Sequence, residues 1–183
     1  MEIISREDYH KDDTLAKAYT EPGIDVNFGI TPIELINEAF DVLRVDENSY
    51  VVDIGCGDGR ALRLAADRGA KVFGIECSQL RFKLAQQLLT RFSGTTLVNG
   101  DFRDVTIPKE VTHLFSFLWP GVTEAAIAHV QKTVPKFRGV SICHSLQNIP
   151  RAELKYNEHF PWGVYFYLSQ TTTTSNLWPL PYS

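Results

Sequence analysis

The stretch Val51–Arg60 reads VVDIGCGDGR, and its spacing is the first guide to the fold. A short apolar run ends in Asp53, and glycines follow at three alternate positions: Gly55, Gly57 and Gly59. A glycine-rich turn after a strand lets the backbone pass close to a nucleotide-like ligand. The spacing here is G-x-G-x-G, whereas a dinucleotide fingerprint is G-x-G-x-x-G and would place its third glycine at Arg60.

The same turn also lacks the features of a phosphate-binding P-loop, which would end in Gly-Lys-Ser/Thr. The carboxylates of Asp53 and Asp58 would repel a pyrophosphate, but they suit a ligand that carries a cationic group. S-adenosylmethionine is such a ligand, because it has an ammonium, a sulfonium and an adenosine and no phosphate. The turn therefore favours this cofactor over cofactors that contain phosphate.

Short apolar strands alternate with amphipathic helices from Tyr50 onwards. The predicted strands are YVVDI, KVFGIE, TTLVNGD, VTHLFSFLW and RGVSICHSL, and the helices between them are ALRLAADRG, SQLRFKLAQQLLTRF and the segment after Gly121. This alternation predicts an α/β fold with a mostly parallel sheet covered on both faces. The tail GVYFYLSQTTTTS is aromatic and β-branched, which predicts a terminal strand in an antiparallel pair.

Residues 1–30 are polar and show no firm period, so we expect an N-terminal arm or flap before a single domain over residues 31–183. The first clear helix begins at TPIE, where Thr31 can cap and Glu34 would complete a capping box. Apolar residues at helical spacing then predict its buried face: Ile33, Ile36, Phe40 and Leu43.

Two further acids lie at the ends of the next predicted strands. Glu76 ends the second strand, where a carboxylate can accept hydrogen bonds from both ribose hydroxyls. Asp101 follows the third strand and could accept a hydrogen bond from the adenine amino group, with Phe102 packing on the ring. The carboxyl ends of parallel strands meet at one edge of a sheet, so we expect these groups and Asp53 to form one site.

Together these residues resemble the seven-stranded, class I S-adenosylmethionine-dependent methyltransferases. The matching motifs are VVDIGCGDGR, the acid of VFGIE and the turn NGDF, in the usual order and at usual intervals. The resemblance implies a three-layer αβα sandwich with strand order 3-2-1-4-5-7-6 and strand 7 antiparallel. It also implies that the acids and glycines of these motifs bind the cofactor, with the neighbouring residues beside them: Asp53, Gly55, Cys56, Gly57, Gly59, Glu76, Cys77, Asp101 and Phe102.

A narrower resemblance concerns compact seven-stranded protein lysine methyltransferases. Members of that group often have Thr-Pro before the first helix and D-[IL]-G-[CS]-G-D-G-R as the glycine motif. Thr31-Pro32 and DIGCGDGR match these patterns here. The resemblance implies that Phe28 and Thr31 approach the cofactor from the flap, and that the acceptor is a protein lysine. The strand-4 end, with Trp119-Pro120, departs from the group's pattern, and residues 145–163 match nothing recognisable.

The acceptor is therefore open on the residues alone. Methyltransferases that act on exocyclic amines of nucleic-acid bases often carry Asn/Asp-Pro-Pro-Tyr/Phe at the end of strand 4, and FSFLWPG lacks its polar residue. No acids that would hold a catalytic metal are evident near this edge, so we expect direct in-line transfer. Trp119, Pro120 and His144 are the candidates for lining the acceptor channel. The alternatives are a small-molecule methyltransferase and a non-catalytic cofactor-binding subunit.

Composition is typical of a globular protein, with 44% hydrophobic and 22% charged residues in 183. The net charge of −4 gives no basic footprint for broad nucleic-acid binding. Three cysteines without metal or disulfide spacing indicate a reducing, intracellular location, with the cytoplasm as the expected compartment. The start MEIISREDYHKDD has no apolar signal core, and no run approaches the ~20 apolar residues that span a bilayer.

Overall fold

The computed structural model describes residues 30–118, 121–143, 151–154 and 163–169. The helices and strands given below all lie in one compact unit, Thr31–Ser183. Within the described residues the helices are α1 (Ile33–Leu43), α2 (Arg60–Asp67), α3 (Gln79–Leu89) and α4 (Val122–Gln131). The strands are β1 (Tyr50–Ile54), β2 (Lys71–Glu76), β3 (Thr95–Asn99), β4 (His113–Phe117), β5 (Phe137–Cys143), β6 (Arg151–Leu154) and β7 (Gly163–Ser169).

The strands form one sheet in the order β3-β2-β1-β4-β5-β7-β6. Strands β1 to β5 are mutually parallel, whereas β7 runs antiparallel to both β5 and β6. The order is the one that the family resemblance implies, and the antiparallel tail strand is as the sequence predicts. Strand β6 lies within residues 145–163, for which the residues alone predicted no element.

Each face of the sheet is covered by its own apolar cluster. On one face the side chains of β1, β2, β4, β5 and β7 pack with those of α1, α2 and α3. On the other face α4 and the segment before β4 pack on Ile54, Ile75 and Leu114. The two clusters make the expected three-layer αβα sandwich, with the sheet buried on both sides as a parallel sheet requires.

The start of α1 corrects two expectations. The helix begins at Ile33, and Pro32 occupies the N-cap position without a side-chain hydrogen bond, so the capping box predicted from Thr31 and Glu34 is wrong. Ile33 is 37% exposed because it lies in the first turn, at the edge of the buried face. The residues that α1 buries are Leu35, Ile36, Ala39, Phe40 and Leu43.

Two polar ties cross the core. The Ser116 hydroxyl lies 2.7 Å from the Ser141 hydroxyl, which lies 3.0 Å from the Tyr167 hydroxyl, so one chain of buried groups links β4, β5 and β7. At the opposite edge of the sheet, the Leu43 carbonyl accepts hydrogen bonds from His113 Nε2 at 3.2 Å and from Arg138 Nη1 at 3.0 Å. The second tie fixes the end of α1 against the starts of β4 and β5.

Candidate cofactor site at the carboxyl edge of the sheet

The turn after β1 is held against the end of β2. The backbone N–H groups of Gly55 and Cys56 donate to the Ile75 carbonyl at 2.8 and 3.0 Å. Gly55 has φ of 75°, a conformation that disfavours other residues, and a Cβ there would lie 2.8 Å from Leu118 Cδ2. Glycine at this position therefore lets Leu118, which follows β4, pack directly against the turn.

Gly59 has a different role in the turn. Its φ is 83°, and a Cβ there would lie 3.0 Å from the Cβ of Ala85 on α3. The third glycine therefore lets the start of α2 pack closely on α3. In a dinucleotide fingerprint the third glycine allows close helix–strand packing, but here it serves a helix–helix contact one residue earlier.

The Glu76 carboxylate at the end of β2 is buried and surrounded by donors. Oε2 accepts from the Gly57 backbone N–H at 2.8 Å. Oε1 accepts from the Ser78 backbone N–H at 2.8 Å and from Arg81 Nε at 3.3 Å, and the Cys77 thiol lies 3.7 Å away. The acid is thus fixed in position by the glycine turn, by the cap of α3 and by a buried arginine.

Asp53 lies on β1 between Gly74 of β2 and Phe115 of β4, and it is only 3% exposed. Burial raises the pKa of its carboxyl well above the usual value, and the nearby charges of Glu76 and Asp58 raise it further. Its carboxylate has no hydrogen bond within the described part of the chain. A buried carboxylate in this situation is costly unless a cation or donor meets it, so Asp53 is suited to a positively charged ligand.

Asp58, the third acid of the site, has a local partner. Its carboxylate pairs with Arg60 Nη2 at 2.6 Å and also accepts from the Arg60 backbone N–H at 3.2 Å. Asp58 therefore accepts from the first backbone N–H of α2 while neutralising the arginine, although the N-cap residue of this helix is Gly59. Two of the three clustered acids thus have an arginine partner, and Asp53 has none among the described residues.

Asp101 caps the short 3-10 turn Phe102–Asp104 that follows β3. The Arg103 guanidinium and backbone N–H donate to its carboxylate and hold the pKa of Asp101 at about 2, well below its usual range. The Phe102 ring packs edge-on against His129 of α4, with ring centroids 5.6 Å apart. Asp101 is thus ionised and held beside Phe102, where both were expected to meet the adenine.

Burial raises the pKa of both described thiols near the site. Cys56 is buried in the glycine turn, and its pKa lies well above the usual value because of that burial and the charges of Asp53, Glu76 and Asp58. Cys77 is exposed beside Glu76, and partial burial of its thiol raises its pKa. Both are free thiols that favour the neutral form.

Comparison with known proteins decides the family. A family model described as a methyltransferase domain matches residues 51–137, which contain the glycine turn and all the acids described above. A protein-lysine N-methyltransferase of Saccharolobus islandicus (strain REY15A) is 30% identical over 117 residues, covering 61% of this chain and 72% of that protein. The chain belongs to the class I S-adenosylmethionine-dependent methyltransferases.

Two further similarities cover different shares of this methyltransferase. Protein arginine N-methyltransferase 1 of Dictyostelium discoideum is 34% identical over 82 residues, which are 43% of this chain and 24% of that protein. The crystal structure of an RNA methyltransferase from Salinibacter ruber, in complex with S-adenosyl-L-homocysteine, superposes with a TM-score of 0.69 at 22% identity. The superposition covers 82% of this chain and all of the Salinibacter ruber chain, and at this identity it supports the fold alone.

The structure brings most of the expected cofactor residues of the methyltransferase to one edge. The glycine turn, Glu76 with Cys77, and Asp101 with Phe102 follow β1, β2 and β3, whose carboxyl ends lie side by side. Thr31 is buried before α1. Phe28 and the acceptor-channel candidates Trp119, Pro120 and His144 lie outside the described residues. The cofactor roles of all these residues stay predictions.

Three residues of the site were missed by sequence reasoning. Gly74 lies in the middle of β2, where a Cβ would come within 2.5 Å of Leu62 Cδ1 and 3.0 Å of Cys56 Sγ, so it makes room for the turn and α2. Asn99 Nδ2 donates to the Glu76 carbonyl at 2.8 Å and ties β3 to β2. Arg81 pairs with Glu76 from the buried face of α3.

Two of these had a signal in the sequence. An isolated glycine inside a strand pattern often marks close approach of other atoms, which applies to Gly74. Arg81 shares one helical face with Ala85 and Leu89, and an arginine on an apolar face indicates a buried partner. Asn99 had no such signal, because an asparagine at a strand end is ordinary turn chemistry.

Two features are absent from the part of the chain that the structure describes. In it, no group of three or more His, Cys, Asp or Glu side chains is arranged to hold a metal ion. None of its helices combines the length and the apolar character needed to cross a membrane.

Proposed function

We propose that this methyltransferase transfers the methyl group of S-adenosylmethionine to the amine of a lysine side chain in a protein. The observation that carries the proposal is the similarity to a protein-lysine N-methyltransferase, of which the chain covers 72%. Thr31-Pro32 and the full motif DIGCGDGR, which typify compact lysine methyltransferases, support it. Curated relatives with other acceptors match about a quarter of their own length, as for the arginine methyltransferase.

The described residues fit the cofactor. Asp53 offers a buried carboxylate with no hydrogen bond among them, and we assign it to the ammonium of the methionine part. Gly55 lets the turn and Leu118 approach each other closely, since a Cβ at that position would lie 2.8 Å from Leu118 Cδ2. The acids would disfavour a phosphate at the same place. When bound, the cofactor supplies an activated methyl group on its sulfonium.

The adenosine part is assigned to the ends of β2 and β3. Glu76 would accept from the ribose, and Asp101 from the adenine amino group while Phe102 packs on the ring. Asp101 already accepts hydrogen bonds from Arg103, which hold its carboxylate in place. Cys77, beside Glu76, would border the ribose, and Phe28 and Thr31 would approach from the flap.

The acceptor would enter where β4 ends, beside Gly55. The Leu118 side chain lies beside that glycine, 2.8 Å from the position that a Cβ would take. The next residues in the chain are Trp119 and Pro120. In-line transfer needs the lysine nitrogen at about 3–3.5 Å from the methyl carbon and collinear with the breaking bond. We propose that Trp119, Pro120 and His144 line this approach and that positioning, with exclusion of water, suffices without a metal ion.

A labelled-methyl assay tests the proposal. The purified chain is incubated with methyl-tritiated S-adenosylmethionine and, separately, with protein extract, a small-metabolite extract and total RNA. We expect label in the protein fraction, recovered as methyl-lysine after acid hydrolysis, and its loss with Asp53→Ala. Glu110→Gln, at an exposed position after the adenine loop, is the matched control and should retain the label.

The other results of this assay each identify a different protein. Label in the small metabolites alone would make the chain a small-molecule methyltransferase, and label in RNA would make it a nucleic-acid enzyme. Cofactor binding without label in any fraction would favour a supporting subunit of a methyltransferase complex. A folded sample that binds neither S-adenosylmethionine nor its demethylated product in isothermal titration would overturn the proposal.

A further inference from the structure

Recognition of both ribose hydroxyls would need more free acceptor positions than the Glu76 carboxylate has. Two carboxylate oxygens accept about four hydrogen bonds in all. On Oε1, the Ser78 N–H at 2.8 Å and Arg81 Nε at 3.3 Å take both positions, and the Cys77 thiol crowds the same atom. On Oε2, the Gly57 N–H at 2.8 Å takes one position and leaves one.

Arg81 is built into the core to make this contact. Its side chain is only 9% exposed, and the Glu76 side chain is 4% exposed. It lies in the first turn of α3 and shares the buried face of that helix with Ala85 and Leu89. Burying a guanidinium is costly unless a carboxylate meets it, so the position of Arg81 and the orientation of Glu76 depend on each other.

The surrounding charges explain why an arginine is needed there. Glu76 and Asp58 both act on Asp53 electrostatically, so three carboxylates share one buried edge. Asp58 has Arg60, and Glu76 has Arg81. Arg81 thus offsets the repulsion among the three carboxylates. It also occupies an acceptor position on Oε1 of Glu76, the acid that it stabilises.

From these contacts we infer that Arg81 is a positioning residue that makes Glu76 a single-hydroxyl acceptor: with Oε1 occupied, only Oε2 receives a ribose hydroxyl. This inference rests on the assignment of Glu76 to the ribose in the proposed function, and it replaces the expectation that both hydroxyls are accepted. The other hydroxyl then meets water or a residue other than Glu76.

Binding of S-adenosylhomocysteine and its 2′-deoxy and 3′-deoxy analogues, measured by isothermal titration, tests the inference without any acceptor. In the wild-type chain we expect one deoxygenation to weaken binding about tenfold to a hundredfold, as loss of a hydrogen bond to a charged group does. Removal of the other hydroxyl should weaken binding less than about threefold, because that hydroxyl makes only weaker contacts. Equal penalties for the two analogues would overturn the inference.

Arg81→Met and Arg81→Lys separate positioning from a merely structural role. Methionine retains an apolar chain on the buried face of α3 but frees one acceptor position of Oε1, beside the bond from the Ser78 N–H, so the difference between the two analogues should shrink to less than about threefold. Lysine keeps a positive donor and should preserve most of the wild-type difference. A structural role would lower the melting temperature of both variants and leave the ratio of the analogue affinities unchanged, which would overturn the inference.

The double variant Glu76→Gln/Arg81→Met keeps the test decisive if Arg81→Met fails to fold, because it removes the buried positive charge together with the charge of its partner. It should bind both analogues almost equally, and a retained wild-type difference would overturn the inference. Failure of the proposed function is distinguishable from these results. It would appear as no binding of S-adenosylhomocysteine by the folded wild-type chain, or as absence of methyl-lysine despite normal analogue discrimination.

Discussion

Oε2 of Glu76 accepts a 2.8 Å hydrogen bond from the backbone N–H of Gly57, so the acid at the end of β2 holds the glycine turn that follows β1. The two residues are separated by 19 positions in the chain. This bond makes the acid a support for the turn as well as a candidate cofactor ligand. Loss of the carboxylate should therefore affect both stability and binding.

We expect Glu76→Gln to lower the free energy of unfolding by about 1–3 kcal/mol and to weaken S-adenosylmethionine binding at least about tenfold. An amide offers one acceptor oxygen, so either the Gly57 N–H or the Ser78 N–H loses its partner, and Arg81 loses its counter-charge. Urea unfolding and isothermal titration measure the two effects. Glu110→Gln, on the surface, is the control and should change neither. An unaltered unfolding midpoint for Glu76→Gln would contradict the supporting role.

The parts of the fold that the sequence predicts well are those set by local pattern. Ser78, the first residue of the predicted helix SQLRFKLAQQLLTRF, caps α3 with its side chain accepting from the Arg81 N–H, and the β1 to β5 strands follow their apolar runs. Strand β6 has four residues, and within the described ranges its pairing partner is β7. Its location depends on a partner distant in the chain, which a local pattern does not report.

The candidate site shows the same division. The positions of Glu76 and Asp101 at one edge follow from the parallel order of strands, which the glycine turn and alternating pattern indicate. The partners of these acids were harder to predict from the sequence. Arg81 pairs with Glu76 from a neighbouring helix, and Arg103 pairs with Asp101 within a turn. Thr31 was assigned a capping role by spacing alone, yet α1 begins after Pro32 without it.

Asp53→Asn should separate stability from binding. The pKa of Asp53 is raised by burial and by neighbouring acids, so the folded state retains the proton better than the unfolded state does. Between the usual value of 3.8 and the raised pKa, stability therefore falls as the pH rises. We expect Asn to remove this loss, raising the free energy of unfolding at pH 7 by on the order of 1 kcal/mol.

The same variant should weaken S-adenosylmethionine binding more than about tenfold, because the counter-charge for the ammonium is gone. Thermal melts without ligand and isothermal titration with it give the two quantities. A variant that is destabilised at pH 7 would contradict the electrostatic account of Asp53. Unchanged affinity would contradict its assignment to the cofactor.

Gly55→Ala and Gly94→Ala form a matched pair, because both glycines have positive φ, of 75° and 88°. At Gly94 the nearest atom to a Cβ is Lys71 Cγ at 3.6 Å, so that variant bears the backbone strain alone, about 1 kcal/mol. At Gly55 the Cβ would also meet Leu118 at 2.8 Å, and we expect a loss about twofold to threefold larger.

Urea unfolding of the two glycine variants measures the difference. Adding Leu118→Ala to Gly55→Ala should recover part of the loss, since it removes the contacting methyl. Equal losses for the two single variants would show that the crowding at Leu118 is relieved without cost. Cofactor binding should fall for Gly55→Ala and stay unchanged for Gly94→Ala, which lies before β3, away from the site.

His113 should make stability depend on pH. Burial lowers the pKa of His113 from 6.5, and the Arg138 charge lowers it further, whereas the hydrogen bond from Nε2 to the Leu43 carbonyl and the charge of Asp46 act in the opposite direction. Its contribution is therefore present above pH 6.5 and is lost as the pH falls through the lowered pKa, where the unfolded chain already binds a proton.

His113→Gln can still donate to the Leu43 carbonyl but does not titrate. Urea unfolding at pH 7.5, 6.5 and 5.5 should show the wild type losing stability toward pH 5.5, and the variant should show a smaller loss over the same interval. A steeper loss in the variant would contradict a lowered pKa at His113.

Ser141 is the middle of the buried hydroxyl chain, so its removal should cost more than removal of either end. Its hydroxyl lies 2.7 Å from Ser116 and 3.0 Å from Tyr167, and Ser116 and Ser141 are both fully buried. We expect Ser141→Ala to lower the free energy of unfolding by about 1–3 kcal/mol, because Ser116 then keeps a buried hydroxyl without this partner.

The double variant Ser116→Ala/Ser141→Ala removes both groups and should be less destabilised than the sum of the two single variants. Chemical unfolding of the wild type, both single variants and the double variant gives the coupling energy, which we expect at about 0.5–3 kcal/mol. Additive losses would mean that the two hydroxyls do not stabilise each other. The tie between β4 and β5 would then come from the backbone ladder and the apolar face beneath α4 alone.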